Sequence, residues 1–173
     1  MKVLAFGASN SKNSINQQLA LYAAKQIKGG EVSLIDINDF EMPIFSEDRE
    51  KELGSPQQAQ QFFKAIGEAD VVVISFAEHN GSYTAAYKNL FDWTSRIDMK
   101  VFQNKSVIML ATSPGPGGAS SVLGAAQGSA PYFAADVKGA LSLASFYDNF
   151  DLEKGAVTDE MFNQQLLDIV ETL

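Results

Sequence analysis

Five short apolar runs of strand length recur along the chain, separated by segments long enough to form helices. They cover residues 3–6, 32–37, 71–76, 107–111 and 140–146. Most of these runs are continuous rather than alternating, which is typical of strands that are covered on both faces. This pattern restricts the chain to a parallel sheet packed between two layers of helices.

The segments between these runs carry helix signals. Four apolar side chains at four-residue spacing predict the first helix: Ile15, Leu19, Ala23 and Ile27. Ser55 and Pro56 predict the start of a second helix, with serine as the cap and proline in the first turn. Further helices are expected at about residues 84–96, at about 120–133 and from about 158 onwards.

Strand and helix alternate five times with short connections, which requires right-handed crossovers between parallel strands. We therefore expect an α/β fold with a doubly wound five-stranded parallel sheet, helices on both faces and the flavodoxin-like strand order 2-1-3-4-5. A length of 173 residues with 46% hydrophobic content predicts a single domain over residues 1–173. The longest irregular stretch, residues 38–54, is either a solvated charged linker or a covering or subunit-contact segment.

Composition excludes several classes of function. The chain has no cysteine and a single histidine, His79, so disulfides, cysteine nucleophiles, thiolate metal sites and multi-histidine metal sites are excluded. A net charge of −8 disfavours nucleic acid as a partner. The N-terminal apolar run is too short for a signal sequence or a membrane span, so we expect a cytoplasmic protein with no membrane partner.

The loop after the first strand, residues 7–16, is a candidate ligand site, because ligands bind a doubly wound sheet at its switch point. It lacks both the three-glycine dinucleotide fingerprint and the Gly-Lys-Ser/Thr ending of a triphosphate loop. A single phosphate is the expected ligand, bound by helix N–H groups, by the hydroxyls of Ser9, Ser11 and Ser14, and by the amide of Asn16. Ordinary helix capping would explain the same residues equally well.

The loop after the third strand reads AEHNGSYTAAYKNLFDW over residues 77–93. It resembles the corresponding loop of the NADPH-dependent FMN reductase family. The matching residues are Glu78, Asn80, Ser82, Lys88, Asn89, Asp92 and Trp93. Ser9, Ser14 and Asn16 are similar to the family's phosphate loop, residues 112–118 to its glycine-rich turn, and residues 42–45 to its second-strand loop. The resemblance therefore covers most of the chain.

Three positions depart from the family pattern. Ser11 stands where many members carry a phosphate-binding arginine, although the adjacent Lys12 could supply charge. His79 replaces the usual tyrosine and Ala77 the usual proline. These departures bear on FMN affinity and on the shape above the flavin ring more than on the fold.

The resemblance implies a bound FMN that carries the redox chemistry, so no catalytic side chain is required. It implies that Ser9, Ser11, Ser14, Ile15 and Asn16 hold the phosphate. It also implies that the backbone of Glu78, His79, Asn80 and Gly81 runs along the isoalloxazine edge, and that Ser113, Gly115 and Gly118 border the opposite side. Lys88, Asn89, Asp92 and Trp93 are interpreted as structural.

The implied activity is hydride transfer from NADPH or NADH, through FMN, to a flavin, quinone or similar small acceptor, in a homodimer or homotetramer. A flavodoxin-type electron carrier is the first alternative, because the acidic surface suits a protein partner. The second is a non-enzymatic binding module on the same fold, since fold does not fix function. The departures at Ser11 and His79 keep this second alternative open.

Overall fold

Five parallel strands form one sheet in the computed structural model, which describes all residues from Met1 to Leu173. The strands are β1 (Lys2–Ala8), β2 (Glu31–Leu34), β3 (Val71–Phe76), β4 (Ser106–Thr112) and β5 (Asp136–Leu143). Their order across the sheet is β2-β1-β3-β4-β5, and every neighbouring pair is parallel. The predicted flavodoxin-like topology is confirmed.

The sheet separates two hydrophobic cores, because successive side chains of a strand point to opposite faces. In β1, Leu4 and Phe6 enter the core on one face, whereas Val3 and Ala5 enter the core on the other. All four are nearly inaccessible to solvent. Burial on both faces explains why the central strands appear in the sequence as continuous apolar runs.

The chain contains seven α-helices. They are α1 (Ile15–Lys25), α2 (Glu47–Leu53), α3 (Gln57–Glu68), α4 (Ala85–Ser95), α5 (Ser120–Ser129), α6 (Phe146–Asn149) and α7 (Glu160–Val170). Helices α1 and α7 pack against one face, and α3, α4 and α5 pack against the other. None of the helices combines the length and the apolar character needed to cross a membrane.

The two edge strands differ most from the sequence prediction. Strand β2 ends at Leu34 instead of 37, because the Asp36 carboxylate accepts a hydrogen bond from the Asn38 N–H (2.9 Å) and starts a 3₁₀ turn. Strand β5 begins at Asp136 and ends at Leu143, whereas residues 140–146 were predicted. An edge strand is only half-buried, so its polar first half escaped a search for apolar runs.

Two helices also begin or end differently from the prediction. Helix α3 begins at Gln57 with Pro56 in the cap position, so Ser55 does not cap it. Helix α5 ends at Ser129 and continues as a 3₁₀ turn over Ala130–Phe133. Pro131 lies at the start of this turn, where its missing N–H and its ring interrupt the α-helical hydrogen-bond pattern.

The stretch 38–54 is not irregular throughout, because it contains α2. The Ser46 hydroxyl accepts a hydrogen bond from the Arg49 N–H (3.1 Å), and Glu47 and Asp48 lie in the first turn, where acidic side chains favour a helix. No residue of α2 is buried. The sequence therefore had no apolar stripe from which this helix could be predicted.

The part of this stretch before α2 lies on α4. The Trp93 indole N–H donates to the Pro43 carbonyl (2.7 Å), and the Phe45 ring packs edge-on against Trp93 with centroids 5.1 Å apart. The Asn89 amide donates to the carbonyls of Met42 and Pro43 and accepts from the Phe45 N–H. The segment thus covers α4 within its own chain, and Asn89 and Trp93 are structural.

One buried amide joins the first turn of α1 to the ends of two strands. The Oδ1 atom of Asn16 accepts from the Ser75 hydroxyl (2.7 Å) and from the Thr112 N–H (3.1 Å), and its Nδ2 donates to the Thr112 carbonyl (3.1 Å). Asn16 is 2% exposed. Its side chain is therefore held by the protein, and the expected contact of this amide with a phosphate stays a prediction. Its backbone N–H lies in the first turn of α1 and has no acceptor within the helix.

We expect Asn16→Ala to lower the free energy of unfolding by about 2–4 kcal/mol, because it leaves the Thr112 backbone and the Ser75 hydroxyl without their partner. Urea denaturation monitored by circular dichroism measures this change. The matched control is Asn13→Ala, an exposed asparagine in the same loop, which should change the stability by less than about 0.5 kcal/mol. Equal losses in the two variants would contradict the bracing role of Asn16.

Candidate functional site

A cleft of about 270 Å³ opens at the carboxyl edge of the sheet, between β1 and β3. The chain leaves these two strands towards opposite faces, which makes this edge the switch point of the fold. The lining residues are Ser9, Ser11, Asn13, Ser14, Ile15, Asn16, Ala77, Glu78, His79, Thr112, Ser113, Pro114 and Tyr147.

Most of the residues singled out from the sequence meet in this cleft. Those that line it are Ser9, Ser11, Ser14, Ile15, Asn16, Glu78, His79 and Ser113. Those that lie outside its lining are Asn80, Gly81, Gly115 and Gly118. The sequence analysis missed Asn13, Ala77, Thr112, Pro114 and Tyr147 as lining residues.

Four of the missed residues belong to loops already identified, but Tyr147 lies beyond the fifth strand. Tyr147 could have been predicted, because the carboxyl ends of all parallel strands lie at one edge of the sheet, so the residues after the fifth strand lie near the cleft. The predicted strand extended to residue 146, which concealed that the chain turns back towards the cleft after Leu143.

The α1 end of the cleft is rich in hydrogen-bond donors. Ser14 caps α1 by accepting from the backbone of the third helical residue (3.2 Å). The N–H groups of Ile15 and Asn16 occupy the first two helical positions, where no intrahelical acceptor exists. With the neighbouring hydroxyls of Ser9 and Ser11, they form a donor cluster at the positive end of an 11-residue helix. This arrangement suits a phosphate group.

No lysine or arginine lines the cleft. Lys12, which the sequence offered as a source of positive charge, lines the adjacent groove with Gln17, Gln18 and Leu34 and is not in the cleft lining. An anion at this end would therefore be bound by neutral donors and the helix dipole rather than by a cationic side chain.

One wall of the cleft is a tight hairpin in which Glu78–His79 pairs with Ser82–Tyr83. Asn80 and Gly81 form its two-residue turn with φ values of 53° and 77°. Two positive φ angles define a turn that strongly favours the sequence Asn-Gly. These two residues therefore shape the hairpin from its exposed tip, while Glu78 and His79 line the cleft.

Glu78 also joins this hairpin to α5. Its Oε2 atom accepts a hydrogen bond from the Val122 N–H (2.8 Å), in the first turn of α5. The residue at the cap position of α5 is Ala119, which has no side-chain acceptor. Glu78 thus caps α5 from another loop, and its carboxylate positions the cleft wall.

The third loop of the cleft, residues 113–118 after β4, packs against the end of β5. Gly118 has a φ of 58°, and a Cβ at this position would overlap the Ser142 side chain. The Gly115 carbonyl accepts from the Ser145 N–H (2.9 Å), and the Ser113 carbonyl accepts from the Phe146 N–H (3.0 Å). Gly118 is therefore needed for the shape of the loop, and the two backbone hydrogen bonds hold the start of α6, where Tyr147 reaches the cleft.

The residues of the cleft fit a phosphorylated aromatic cofactor. Donors cluster at the α1 end, and an ordered hairpin and the half-exposed ring of Tyr147 lie among the other walls. Tyr147 is the one Phe, Tyr or Trp side chain in the lining. A flat ring system could pack against it while the phosphate occupies the donor cluster.

Comparisons with known proteins agree with this description. The sequence model of a family described as NADPH-dependent FMN reductase matches residues 1–147. A Mycoplasma pneumoniae protein described as uncharacterized is 27% identical over 158 residues, which cover 88% of this chain and 92% of that protein. An NAD(P)H:quinone oxidoreductase of Solanum tuberosum is 33% identical over 126 residues, which cover 70% of this chain and 63% of that protein. The match therefore spans less than two thirds of the plant protein's length.

Solved structures show the same fold. A flavoenzyme NAD(P)H:(acceptor) oxidoreductase from Paracoccus denitrificans, FerB, superposes with a TM-score of 0.75 at 24% identity, covering 99% of this chain and 93% of that one. The apo form of an NADH:FMN oxidoreductase, EMOB, superposes with a TM-score of 0.65 at 17% identity, covering 99% of this chain and 87% of that one. With a family match over most of its length, the chain belongs to the NADPH-dependent FMN reductase family.

Proposed function

We propose that this chain is an FMN-dependent oxidoreductase that takes hydride from NADPH or NADH and passes electrons to a quinone, flavin or similar small acceptor. The observation that carries the proposal is the donor cluster at the start of α1, which opens into the same cleft as the hairpin 78–83. Family membership supplies the cofactor class. Bound FMN supplies the redox chemistry, so the protein must bind and orient it.

The donor cluster is assigned to the FMN phosphate. The backbone N–H groups of Ile15 and Asn16 donate to phosphate oxygens, together with the hydroxyls of Ser9 and Ser11. Ser14 contributes indirectly, because it holds the first turn of α1 in shape through its capping hydrogen bond. Neutral donors at the helix end therefore bind the anion without the help of a cationic side chain.

The hairpin and the third loop are assigned to the ring end of the cofactor. The Asn80–Gly81 turn and the hydrogen bond from Val122 to Glu78 fix the hairpin within the protein itself. A wall that is already ordered costs less conformational entropy when a ligand binds. Glu78, His79 and Ser113 then flank the ring, and Tyr147 packs against it.

Quinone is favoured among acceptors by the names of relatives, which include the potato enzyme and a 2-hydroxy-1,4-benzoquinone reductase of a Burkholderia species. The proposal also comprises one domain over residues 1–173, cytoplasmic location and assembly as a homodimer or homotetramer. These three points stay predictions from the sequence and its family resemblance.

A flavodoxin-type electron carrier is the second candidate, favoured by the net charge of −8. The two candidates share cofactor and cleft but differ in the electron donor. A carrier exchanges electrons with a protein partner and does not turn over a nicotinamide nucleotide.

We expect the purified protein to retain a visible flavin band after FMN addition and desalting, and the band to bleach when NADPH or NADH is added without oxygen. Absorbance spectroscopy in a sealed cuvette measures both steps. A retained band that neither nucleotide bleaches would favour the electron carrier. A protein that retains no band would contradict the flavin assignment of the cleft.

We expect Ser11→Glu to weaken FMN binding about tenfold to hundredfold, because it places a carboxylate beside the phosphate. Riboflavin, which has no phosphate, should bind the variant and the unmodified protein equally well. Gln18→Glu is the matched control, because it adds the same charge to α1 in the neighbouring groove. Quenching of flavin fluorescence gives the dissociation constants, and equal losses for FMN and riboflavin would place the phosphate elsewhere.

We expect Tyr147→Ala to weaken FMN binding about tenfold through loss of aromatic stacking. Tyr132→Ala is the control, because Tyr132 is a similarly exposed tyrosine outside the cleft. The same fluorescence titration measures both variants. Unchanged affinity in Tyr147→Ala would remove Tyr147 from the cofactor site.

A further inference from the structure

A second cavity, of about 240 Å³, lies between α4 and α5 on one face of the sheet. It shares no lining residue with the cleft at the strand ends. Six aromatic side chains form most of its wall: Phe76, Tyr83, Tyr87, Phe91, Phe102 and Phe133. Ala126 and Ala130, from α5 and the turn after it, contribute small side chains that leave the space open.

The aromatic rings hold one another in place around this cavity. Phe91 packs edge-on against Phe133, with ring centroids 4.7 Å apart, and so connects α4 to the turn after α5. Tyr87 lies against Phe76 and Tyr83, with both centroid distances 5.5 Å. These contacts build a wall of ring edges and faces that suits another aromatic ring.

Tyr87 brings a nearly buried hydroxyl group to the wall of the cavity. Its side chain is 4% exposed, and its hydroxyl has no hydrogen-bond partner in the protein. Every side-chain nitrogen or oxygen without accessible surface has such a partner, so this hydroxyl keeps some accessible surface, on a residue that lines the cavity. Burial, together with the neighbouring Tyr83, raises the pKa of Tyr87 well above its usual value. The hydroxyl therefore stays protonated and can donate.

The rim of the cavity carries no free charge. The Lys88 ammonium contacts both carboxylate oxygens of Asp92, at 2.7 and 2.9 Å, so the two charges neutralise each other. The remaining polar groups of the lining are the Tyr83 hydroxyl and the serines at 95 and 129, and both serine hydroxyls donate to backbone carbonyls of their own helices. The mainly apolar lining therefore favours an uncharged molecule over a phosphate or a carboxylate.

We propose that the α4–α5 cavity binds an uncharged aromatic compound of one or two rings, with a carbonyl or hydroxyl oxygen that accepts a hydrogen bond from Tyr87. A dry cavity of about 150 Å³ is sufficient for benzene, so the space between α4 and α5 accommodates a substituted ring. A mainly apolar wall with a few placed polar groups is the usual composition of a small-molecule site. This site is separate from the proposed cofactor cleft and does not depend on its function.

The test uses phenol and toluene, two molecules of similar size of which only phenol carries an oxygen. Each is titrated into ¹⁵N-labelled protein, with and without saturating FMN, and amide shifts are recorded by NMR. We expect phenol to shift the amides of Tyr87, Phe91, Ala126 and Phe133, and to bind about fivefold more tightly than toluene. FMN should shift the amides of residues 9–16 instead, so the experiment tests the cavity proposal and the cofactor proposal independently.

Tyr87→Phe isolates the contribution of the hydroxyl. In this variant phenol should lose its fivefold advantage, while toluene binding should be unchanged. Tyr22→Phe is the matched control, because the Tyr22 hydroxyl donates to Asn163 (2.8 Å) and lies with the core on the opposite face of the sheet. Phenol affinity in Tyr22→Phe should equal that of the unmodified protein.

Ala126→Leu fills the cavity and should abolish the phenol shifts at α4 and α5 in a protein that still unfolds cooperatively on heating. Gly124→Ala, on the exposed side of the same helix, should leave them intact. Equal binding of phenol and toluene, or phenol shifts confined to residues 9–16, would overturn the proposal. Amides of α4 and α5 that respond to protein concentration but not to phenol would assign the cavity to a contact between copies of the chain.

Discussion

The side-chain amide of Asn16 is the interaction on which the carboxyl edge of this sheet depends. It binds the end of β3 through Ser75 and both backbone groups of Thr112 at the end of β4. All three hydrogen bonds are buried, where an unpaired group carries its full desolvation cost. Three chain segments therefore have one relative arrangement, and the walls of the cleft are built on them.

Cleft and cavity illustrate two kinds of recognition on one scaffold. The cleft offers many donors and no cationic side chain, and its hairpin is fixed by its own turn and by the hydrogen bond from Val122 to Glu78. The α4–α5 cavity offers aromatic rings with a few hydroxyls, and the Lys88–Asp92 ion pair lies at its rim. The first arrangement suits an anion with a polar chain, and the second suits a small neutral ring.

The sequence predicted the parallel sheet, its order and the three loops of the cleft, because burial on both faces and the switch-point rule leave direct marks in residue patterns. It predicted the edge strands β2 and β5 less well, since half-buried strands carry mixed residues. The contact of Glu78 with Val122 joins residues 44 positions apart and has no periodic signature. The partners of the Asn16 amide were hidden for the same reason, because a polar side chain at a helix start can face a ligand or the protein.

The end of β3 serves both binding regions through neighbouring residues. Phe76 lines the α4–α5 cavity, and Ala77, the next residue, lines the cleft. Since successive side chains of an extended backbone point to opposite sides, inserting or deleting one residue here would exchange the two surfaces. Over evolution this junction should therefore accept substitutions readily but insertions and deletions hardly at all. The number of residues between β3 and the hairpin should then vary less among relatives than the identity of those residues.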